Sequence, residues 1–570
     1  MGGGGGGGGG FDDALLANSQ EAGFSGLMKN KKSLGLAMFA SLGGVLYGYN
    51  QGVFSSVQVM QRFLYRFPAM GAEDGTTRGL VTAILELGAF VGSLMAGPLA
   101  DVYSRKYSIA GWCVVFMMGT ALQTGASNLD CIWAGRWFAG MGVGALSMLV
   151  PMYNAELAPP GIRGSLVALQ QWAITFGILI SYWIGYGTNF IGGTQFDAAT
   201  MTGQSEAAWR LPLALQLVPA VVLCAGTWFL PFSPRWLMLK GREEESLVGL
   251  AKLRSKPEND PAVQYEFRAL QAERLVEREA AKERYGTEEV NFHVSLMEYK
   301  RLLTTRSLLH RLMIGAGAQA LQQWTGINAI IYYAPTVFEQ VGLSGGSIPL
   351  LATGIVGVVN FIFTIPAVLF VDNLPRRWIL MWGEGNMAIS HAVLAAVIAV
   401  YGGNPGEQFR NKAAGNGAVF MIYWYIANFA VTWGPLAWVV SAEVFPLDMR
   451  AKGMSISSAI NWIMNFTVAL TTPVMFRTVG VRGYGTYLVF MAFCIIGFLY
   501  AWLLLPELKG KSLEEVDAIF KDTSGAEDAA RRERIAKQIG LDKVAQEVKH
   551  EEHGAGGGKR FGNAEKEERR

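Results

Sequence analysis

A nine-residue pattern occurs once in each half of this chain. The pattern Ala-Glu-(Leu/Val)-x-Pro-x-x-x-Arg begins at Ala155 and again at Ala442. A second pattern, an Asp followed four residues later by two basic residues, is also repeated, at positions 101–106 and 372–377. Both patterns stand at the ends of long apolar runs. The repeats indicate two related halves in membrane-type sequence, an organisation typical of transporters.

The composition also indicates a membrane protein. Of the 570 residues, 51% are hydrophobic and only 16% are charged, whereas a soluble protein would carry about a quarter charged residues. The net charge of +3 gives no reason to expect nucleic acid as a partner. The sequence predicts no metal site, no cofactor and no enzyme, since no metal-ligand spacing, nucleotide loop or nucleophile–base set occurs. We interpret the four cysteines as small hydrophobic residues.

Twelve apolar stretches are each long enough to cross a bilayer, because about 20 helical residues span roughly 30 Å of hydrocarbon. We predict an all-α membrane protein whose twelve transmembrane helices form two pseudo-symmetric six-helix bundles with a cytoplasmic helical linker. The stretches, numbered TM1 to TM12, are 34–57, 77–100, 107–126, 130–153, 165–190, 209–230, 310–338, 347–371, 377–401, 416–443, 451–475 and 485–505.

The charged stretches define five parts of the chain. A charged, helix-compatible segment separates TM6 from TM7, and polar or Gly-rich tails flank the apolar core. We expect the first tail, and the chain beyond about residue 540, to be disordered. The predicted parts are a Gly-rich tail 1–33, a bundle 34–238, a linker 239–309, a second bundle 310–505 and a tail 506–570.

Basic residues set the expected orientation. Lys and Arg lie before TM1, after TM2, TM4, TM8 and TM10, and throughout the linker. On the other side, the loops between TM3 and TM4 and between TM7 and TM8 carry neither Lys nor Arg. Two further loops on that side do carry Lys or Arg, which reduces the asymmetry without reversing it. Since cytoplasmic loops are enriched in Lys and Arg, both tails and the linker are predicted to be cytoplasmic.

The repeated charges predict a cytoplasmic gate. Acids and bases at the ends of neighbouring helices can pair while the outer side is open, and these pairs would break when the inner side opens. An isolated basic pair would only anchor a helix end, but the repetition with matching acids favours the gate. The predicted gate residues are Asp101, Arg105, Glu156, Arg163, Asp372, Arg376, Arg377, Glu443 and Arg450.

Neutral polar residues within the apolar stretches predict a polar cavity. TM5, TM7, TM8 and TM11 carry amides, and TM7, TM10 and TM11 carry Tyr or Trp. Each amide offers donors and an acceptor that suit sugar hydroxyls, and aromatic rings pack on the apolar faces of a pyranose. Any single amide can instead join two helices. An anionic substrate would require Lys or Arg among these positions, and none occurs there.

Several longer motifs resemble one known family, the sugar porters of the major facilitator superfamily, and are most similar to fungal hexose transporters. The resemblance covers about residues 35–520. The motifs are Gly135-Arg136, Pro151-x-Tyr153-x-x-Glu156, Pro231-x-Ser233-Pro234-Arg235-Trp236-Leu237, Gln322-Gln323-x-x-Gly326-Ile327-Asn328 and Pro506-Glu507-x-Lys509-Gly510-x-x-Leu513-Glu514-Glu515.

The resemblance implies transport of a monosaccharide by alternating access in the plasma membrane, by a chain that functions as a monomer. Glucose is the expected hexose. Xylose is a secondary candidate, and galactose, fructose or a polyol is not excluded. Tyr333 is added because it follows the TM7 amides. The full set of expected sugar contacts is Gln171, Gln322, Gln323, Asn328, Tyr333, Asn360, Trp438, Asn461, Trp462 and Asn465.

Three residues bear on proton coupling. Many proton-coupled members of the family have Asp in TM1 near an Arg of TM4, where this chain has Asn50 and Arg136. An amide does not titrate, so Asn50 favours facilitative uniport. Glu86 in TM2 leaves open a symporter with a proton as co-substrate. A sugar sensor that does not transport is the remaining alternative.

Overall fold

The structure is a computed structural model in which most of the chain is helical. The predicted N-terminal tail lies outside the described residues up to residue 29. The structure describes residues 30–71, 75–159, 163–287, 292–343, 347–370, 375–402, 409–446, 449–509, 516, 519–520, 524–541, 543–544 and 546.

Helices occupy all six predicted spans of the first half, within a few residues of the predicted bounds. TM1 and TM6 are each built from consecutive shorter helices. The bounds are Lys31–Ala40 and Leu42–Val57 for TM1, Thr76–Tyr103 for TM2, Arg105–Thr124 for TM3, Leu129–Leu157 for TM4, Arg163–Thr188 for TM5, and Ala207–Leu215, Leu217–Gly226 and the 3₁₀ turn Thr227–Phe229 for TM6.

The second half repeats this arrangement, and here TM7 and TM10 are the interrupted spans. The bounds are Arg306–Trp324 and Ile327–Gln340 for TM7, Ile348–Phe370 for TM8, Arg376–Tyr401 for TM9, Lys412–Val431 and Trp433–Glu443 for TM10, Arg450–Thr478 for TM11, and the 3₁₀ turn Val481–Gly483 followed by Tyr484–Leu503 for TM12.

Seven of the spans that the structure describes are long and apolar enough to cross a membrane by length and composition alone, namely TM2, TM6 and TM8 to TM12. The other five are interrupted or carry buried polar side chains, such as Arg136 in TM4 and Gln322 in TM7. Buried polar groups lower the mean hydropathy of a helix although they face protein and not lipid.

Side-chain caps mark where several membrane helices begin. Asn128 accepts a hydrogen bond from the backbone N–H of Cys131 at 3.0 Å at the start of TM4. Asn411 accepts from the N–H groups of Ala413 and Ala414 at the start of TM10. These amides satisfy backbone donors that a helix leaves free in its first turn.

The predicted linker is helical and packs on the membrane helices. Its helices are Pro234–Leu239, which follows TM6 directly, Glu243–Arg254, Pro261–Tyr285 and Phe292–Thr304. The side of the protein that carries residues 234–304 is called the linker side, and the other the opposite side. A helix of the C-terminal tail, Ser524–Gln538, packs on Pro261–Tyr285, with Arg534 paired to Glu279.

Small elements cover the opposite side of the first bundle. Helix Gln61–Arg66 and the 3₁₀ turn Pro68–Gly71 follow TM1, and the short antiparallel strands Phe196–Asp197 and Thr202–Gly203 lie between TM5 and TM6. The Arg62 guanidinium lies over the Phe196 ring at 4.3 Å, which joins the two loops.

Glycines allow close helix contacts between TM4 and TM2. A Cβ at Gly140 would lie 2.0 Å from the carbonyl oxygen of Leu85, and one at Gly144 would lie 2.0 Å from that of Ala89. Any larger residue would therefore separate TM4 from TM2.

The two bundles touch along TM2 and TM11 and along TM5 and TM8. A Cβ at Gly79 would lie 2.5 Å from the Leu470 carbonyl oxygen, and one at Gly357 would lie 2.9 Å from the Leu179 Cα. These four residues lie in the half of each helix that faces the opposite side. The two bundles are therefore packed directly against each other on that side.

Candidate functional site

Four of the predicted amides from TM7 and TM11 are in mutual contact. Asn461 Nδ2 donates to Gln322 Oε1 at 2.8 Å, and Gln323 Nε2 donates to the same oxygen at 3.3 Å. Asn328 Nδ2 donates to Gln323 Oε1. All four side chains are buried. Because each amide orients the next, the cluster is preorganised within the second bundle.

Gln319 completes this cluster, although the sequence analysis did not select it. Its Oε1 accepts from Asn461 Nδ2 at 2.6 Å, and its Nε2 donates to Ser441 Oγ at 3.2 Å. The side chain is fully buried. Gln319 lies three residues before Gln322 and so on the same helix face, which is the signal that could have identified it. The name amide cluster is used below for Gln319, Gln322, Gln323, Asn328 and Asn461.

The amide cluster lies where TM7 and TM10 are interrupted. TM7 breaks at Gly326, whose φ of +94° favours glycine. TM10 breaks at Thr432, two residues before the Gly434-Pro435 pair. Gln322 Nε2 donates to the carbonyl oxygens of Trp433 and Gly434 at 2.9 and 3.0 Å. An amide at one break therefore binds backbone groups at the other.

Several buried polar atoms have no hydrogen-bond partner within the described residues. Asn461 Oδ1 and Trp462 Nε1 belong to TM11, and Trp172 Nε1 and both polar atoms of Gln170 belong to TM5. An unsatisfied buried donor or acceptor costs about 1–3 kcal/mol. These atoms are candidates for binding a polar ligand or water.

Two aromatic pairs join the bundles. The Tyr47 ring of TM1 lies 5.1 Å from the Trp462 ring of TM11, and the Trp172 ring of TM5 stacks on Phe361 of TM8 at 5.3 Å. Such pairs prefer tilted or offset arrangements at this separation. The residues that carry unpaired indole N–H groups are therefore the same ones that join the two halves.

The remaining predicted contacts on TM5, TM8 and TM10 adjoin these rings or the cluster. Gln171 is half-buried and precedes Trp172, and Asn360 is buried and precedes Phe361. Trp438 is half-buried in the second helix of TM10.

Tyr333 and Asn465 lie in surroundings different from those of the amide cluster. The Tyr333 hydroxyl donates to the Ala469 carbonyl oxygen at 2.7 Å. Asn465 Nδ2 donates to Glu86 Oε2 at 3.0 Å, and the Tyr332 hydroxyl donates to Glu86 Oε1 at 2.6 Å. Glu86 is fully buried. Its carboxylate thus links TM2 of one bundle to TM7 and TM11 of the other.

Asn50 and Arg136 each bind neighbours within the first bundle. Asn50 Nδ2 donates to Gln216 Oε1 of TM6 at 2.8 Å. Arg136, which is buried, donates from Nε to the Val81 carbonyl oxygen at 2.6 Å and from Nη2 to that of Thr82 at 3.0 Å. The guanidinium is thus held by TM2 backbone groups, which lowers the cost of a charge at membrane depth.

The repeated charges form equivalent ion pairs in the two halves. Arg105 Nε lies 3.0 Å from Glu156 and Nη1 lies 2.8 Å from Asp101. Arg376 Nη2 lies 2.8 Å from Glu443. The first set joins TM3 to TM2 and TM4, and the second joins TM9 to TM10. Both therefore lie within one bundle, on the linker side.

The other predicted gate residues flank these pairs. The backbone N–H of Arg377 donates to Glu507 at 3.2 Å, and Arg450 is half-buried at the start of TM11. The side chain of Arg163 and all of Asp372 lie outside the described residues.

Linker helices carry ion pairs to both bundles. Arg235, just after TM6, lies 2.9 Å from Glu273 and 3.4 Å from Glu277. Burial raises the pKa of the Glu277 carboxyl, and the Arg235 charge opposes that effect. Lys452 at the start of TM11 lies 2.5 Å from Glu298. The linker thus contacts the last residues of the first bundle and the start of TM11 in the second.

A comparison with protein-family models matches residues 36–520 to the family described as "Sugar (and other) transporter". The match covers most of the 570 residues. The chain belongs to the sugar transporter family. The resemblance identified from the motifs is therefore confirmed, and this protein is a transporter and not an enzyme.

Curated relatives of this sugar transporter are fungal proteins. It is 33% identical over 515 residues to the probable glucose transporter rco-3 of Neurospora crassa, covering 87% of this chain and 81% of the relative. It is 34% identical to the low-affinity glucose transporter HXT1 of Saccharomyces cerevisiae, covering 85% and 81%. A probable quinate permease of Aspergillus niger is 32% identical, with coverage of 85% and 87%.

Solved structures of the xylose transporter XylE from E. coli share the fold of this sugar transporter. A partially occluded inward open conformation gives a TM-score of 0.66 at 28% identity, covering 85% of this chain and all of that one. The proton:xylose symporter XylE bound to 6-bromo-6-deoxy-D-glucose gives 0.67 at 27% identity, covering 86% and 99%. The architecture of two six-helix bundles is confirmed.

Proposed function

We propose that this sugar transporter carries a monosaccharide, a hexose such as glucose, across the membrane by alternating access. The observation that supports this most strongly is the buried amide cluster beside unpaired polar atoms of Asn461 and Trp462. A sugar hydroxyl both donates and accepts, so carbonyl oxygens and N–H groups in one place match a ring of hydroxyls. The relatives named as glucose transporters support the same substrate.

We assign roles according to position. The amides of TM7 and TM11 bind hydroxyls, and the Trp438 and Trp462 rings pack on the apolar face of the sugar. Gln171 and Asn360 approach from TM5 and TM8. Tyr333 and Asn465 support the site from the opposite side through Ala469 and Glu86.

A neutral substrate is favoured over an anion. In the described part of the chain, the hydrogen-bond partners of the amide cluster are amides, a hydroxyl and backbone carbonyls, and none is Lys or Arg. A carboxylate buried among neutral amides would lack a counter-charge, which is costly in a low-dielectric site. Quinate, the substrate named for other relatives, is therefore a useful comparison.

We propose uniport as the transport mode. Asn50 occupies the position where a titratable acid would be expected in a proton-coupled relative. Its amide donates to Gln216, and neither side chain titrates. No proton therefore needs to accompany the sugar at this place.

A second candidate, proton symport, is favoured by one observation. Glu86 is a fully buried carboxyl that bridges the bundles through Tyr332 and Asn465. Protonation would remove an acceptor from this bridge and weaken the contact between the halves. The XylE structure described as a proton:xylose symporter shares the fold.

Uptake of labelled glucose by purified protein in liposomes, with and without an imposed proton gradient, tests both modes. Uniport predicts uptake that equilibrates and ignores the gradient. Accumulation driven by the gradient, lost in Glu86→Gln but kept in Glu384→Gln, would overturn uniport in favour of coupling through Glu86. Glu384 is the matched control because it is a buried carboxyl on TM9. Under either transport mode, we expect quinate not to compete with glucose for uptake.

Absence of any monosaccharide flux, with sugar still bound, would contradict transport and support a sensor. Binding is measured separately, from the change in tryptophan fluorescence on addition of glucose. The Trp462 and Trp172 rings at the bundle contacts make such a change expected.

We also propose the location and orientation of this transporter. It acts as a monomer in the plasma membrane, with both tails and the linker in the cytoplasm and the opposite side outside the cell. The parts 1–33, 34–238, 239–309, 310–505 and 506–570 retain the roles predicted above. The gate pairs then lie at the cytoplasmic face. A cysteine introduced at the exposed Tyr65 should react with an impermeant thiol reagent added outside intact cells, and no reaction would contradict this orientation.

A further inference from the structure

The carbonyl of Thr325 lies at the break of TM7, where the helical hydrogen-bond ladder is interrupted. Among the described residues, no backbone N–H donates to this oxygen, and the ladder resumes with Ile330 N–H donating to Gly326 at 3.2 Å. An unpaired carbonyl at membrane depth is costly and requires another donor.

Side chains of two helices supply those donors. His391 Nε2 of TM9 lies 2.8 Å from the Thr325 oxygen, and the Tyr425 hydroxyl of TM10 donates to it at 2.9 Å. The Cys494 thiol of TM12 lies 4.0 Å away. Backbone at the hinge of one helix is therefore held by side chains of two others.

The chemistry fixes the form of the imidazole. A carbonyl can only accept, so the Nε2 of His391 carries the hydrogen in this contact. Its Nδ1 is buried and has no partner in the described chain. The ring packs 4.7 Å from Tyr425 and 5.7 Å from Phe490. His391 is thus a hydrogen-bond donor packed among aromatic rings.

The hinge leaves little space for other arrangements. A Cβ at Gly326 would lie 2.9 Å from the Phe490 ring and 3.3 Å from His391 Nε2. The clamp, defined as His391 and Tyr425 on the Thr325 carbonyl, therefore restricts the angle between the two helices of TM7.

The helix beyond the hinge carries the contacts to the other bundle. Tyr332 binds Glu86, the Ile331 carbonyl accepts from Tyr182 at 2.8 Å, and Thr336 accepts from an Arg78 Nη2 at 3.1 Å. The helix before the hinge carries Gln322 and Gln323 of the amide cluster. The hinge angle thus connects the candidate sugar site to the closure of the opposite side.

We propose that His391 and Tyr425 are positioning residues that set the hinge of TM7 and, through it, the rate at which the opposite side opens and closes. Neither residue is among the sugar contacts proposed above. The effect on transport depends on the proposed function, whereas the effect on the hinge does not. Loss of the clamp should free Ile327–Gln340 to move relative to Arg306–Trp324.

Three variants and one control test the clamp. Tyr425→Phe removes only the hydroxyl, and His391→Phe keeps a ring but removes the donor. His391→Gln restores an N–H donor. The control is Tyr423→Phe, on the same helix, whose hydroxyl donates to Ala352 at 3.2 Å, away from the hinge. Hydrogen–deuterium exchange of segment 327–340 is measured on purified, sugar-free protein, and Vmax and KM for glucose are measured in liposomes.

We expect exchange of segment 327–340 to rise about three- to tenfold in Tyr425→Phe and in His391→Phe, since each loses one buried hydrogen bond. In these two variants, Vmax for glucose should change by a similar factor while KM changes less than twofold. In His391→Gln, both exchange and Vmax should lie closer to the wild-type values. Unchanged exchange, or an equal change in Tyr423→Phe, would overturn the proposal. If wild type transports no sugar, the proposed function fails, but the exchange measurement still decides the clamp.

Discussion

At the scale of single residues, Asn461 organises the candidate sugar site. Its Nδ2 is shared by Gln319 Oε1 and Gln322 Oε1, at 2.6 and 2.8 Å, and its Oδ1 is free for a ligand. Asn461→Ala should raise KM for glucose about tenfold, because two buried acceptors lose a donor at about 1–3 kcal/mol. Transport kinetics in liposomes measure the change.

The matched control at this scale is Asn386→Ala. Asn386 is a half-buried amide on TM9 whose Nδ2 donates to the Trp382 carbonyl of its own helix at 2.9 Å. We expect this variant to keep the wild-type KM. If Asn461→Ala also kept it, the amide cluster would not be the sugar site.

Residue-scale prediction from sequence selected Gln322 and Asn461, which the structure brings into contact, and it selected Tyr333 rather than Tyr332. Helical periodicity assigns faces only while the helix is continuous. The break at Gly326 resets the phase of TM7, and Tyr333 itself has non-helical angles, with φ of −122° and ψ of 23°. Tyr332 therefore faces Glu86 of the other bundle, which no spacing rule could show.

At the scale of elements, the linker connects the bundles through charge. The Lys452 and Glu298 side chains are 21% and 17% exposed, so their 2.5 Å ion pair is only partly screened. Lys452→Glu places two acids together and should lower stability by about 1–2 kcal/mol. The reversed pair, Lys452→Glu with Glu298→Lys, should recover most of that loss. Thermal unfolding of the detergent-solubilised variants measures both, and failure of the reversed pair to recover would contradict a direct pairing.

The helical linker was predicted because its charges and Ala/Glu/Leu runs favour a helix locally. The docking of the tail helix Ser524–Gln538 was not predicted. Its contacts, such as Arg268 donating to the Ile539 carbonyl at 3.0 Å and the pair of Arg534 with Glu279, join segments far apart in the chain. Charge patterns identify an exposed helix but do not specify its partner.

At the scale of the whole molecule, the repeated charge patterns form equivalent ion pairs in the two bundles. Arg105 with Glu156 and Arg376 with Glu443 join corresponding helices of the two bundles at similar distances. The sequence could show that these pairs recur, but not that each stays inside its own bundle. Because each pair stays within one bundle, we expect opening of the opposite side to break contacts between the halves, such as Tyr182 with Ile331.

The hydrogen bond between Tyr182 and Ile331 affects the balance between the open and closed forms of the whole protein. Tyr182→Phe removes the hydroxyl that donates to Ile331 at 2.8 Å without changing the buried ring. Losing one hydrogen bond between the bundles should raise the population open on the opposite side about threefold. Spin labels at the exposed Tyr65 and Val481, one on each bundle, should then show a larger share of long distances.

The control for this measurement is Tyr423→Phe, whose hydroxyl donates to Ala352 within one bundle at 3.2 Å. It should leave the distance distribution unchanged, since it breaks no contact between the halves. An unchanged distribution in Tyr182→Phe would show that closure depends on other contacts, such as TM2 with TM11. An equal shift in both variants would indicate general loosening of the helices and contradict a specific role for the Tyr182 hydroxyl in closing the opposite side.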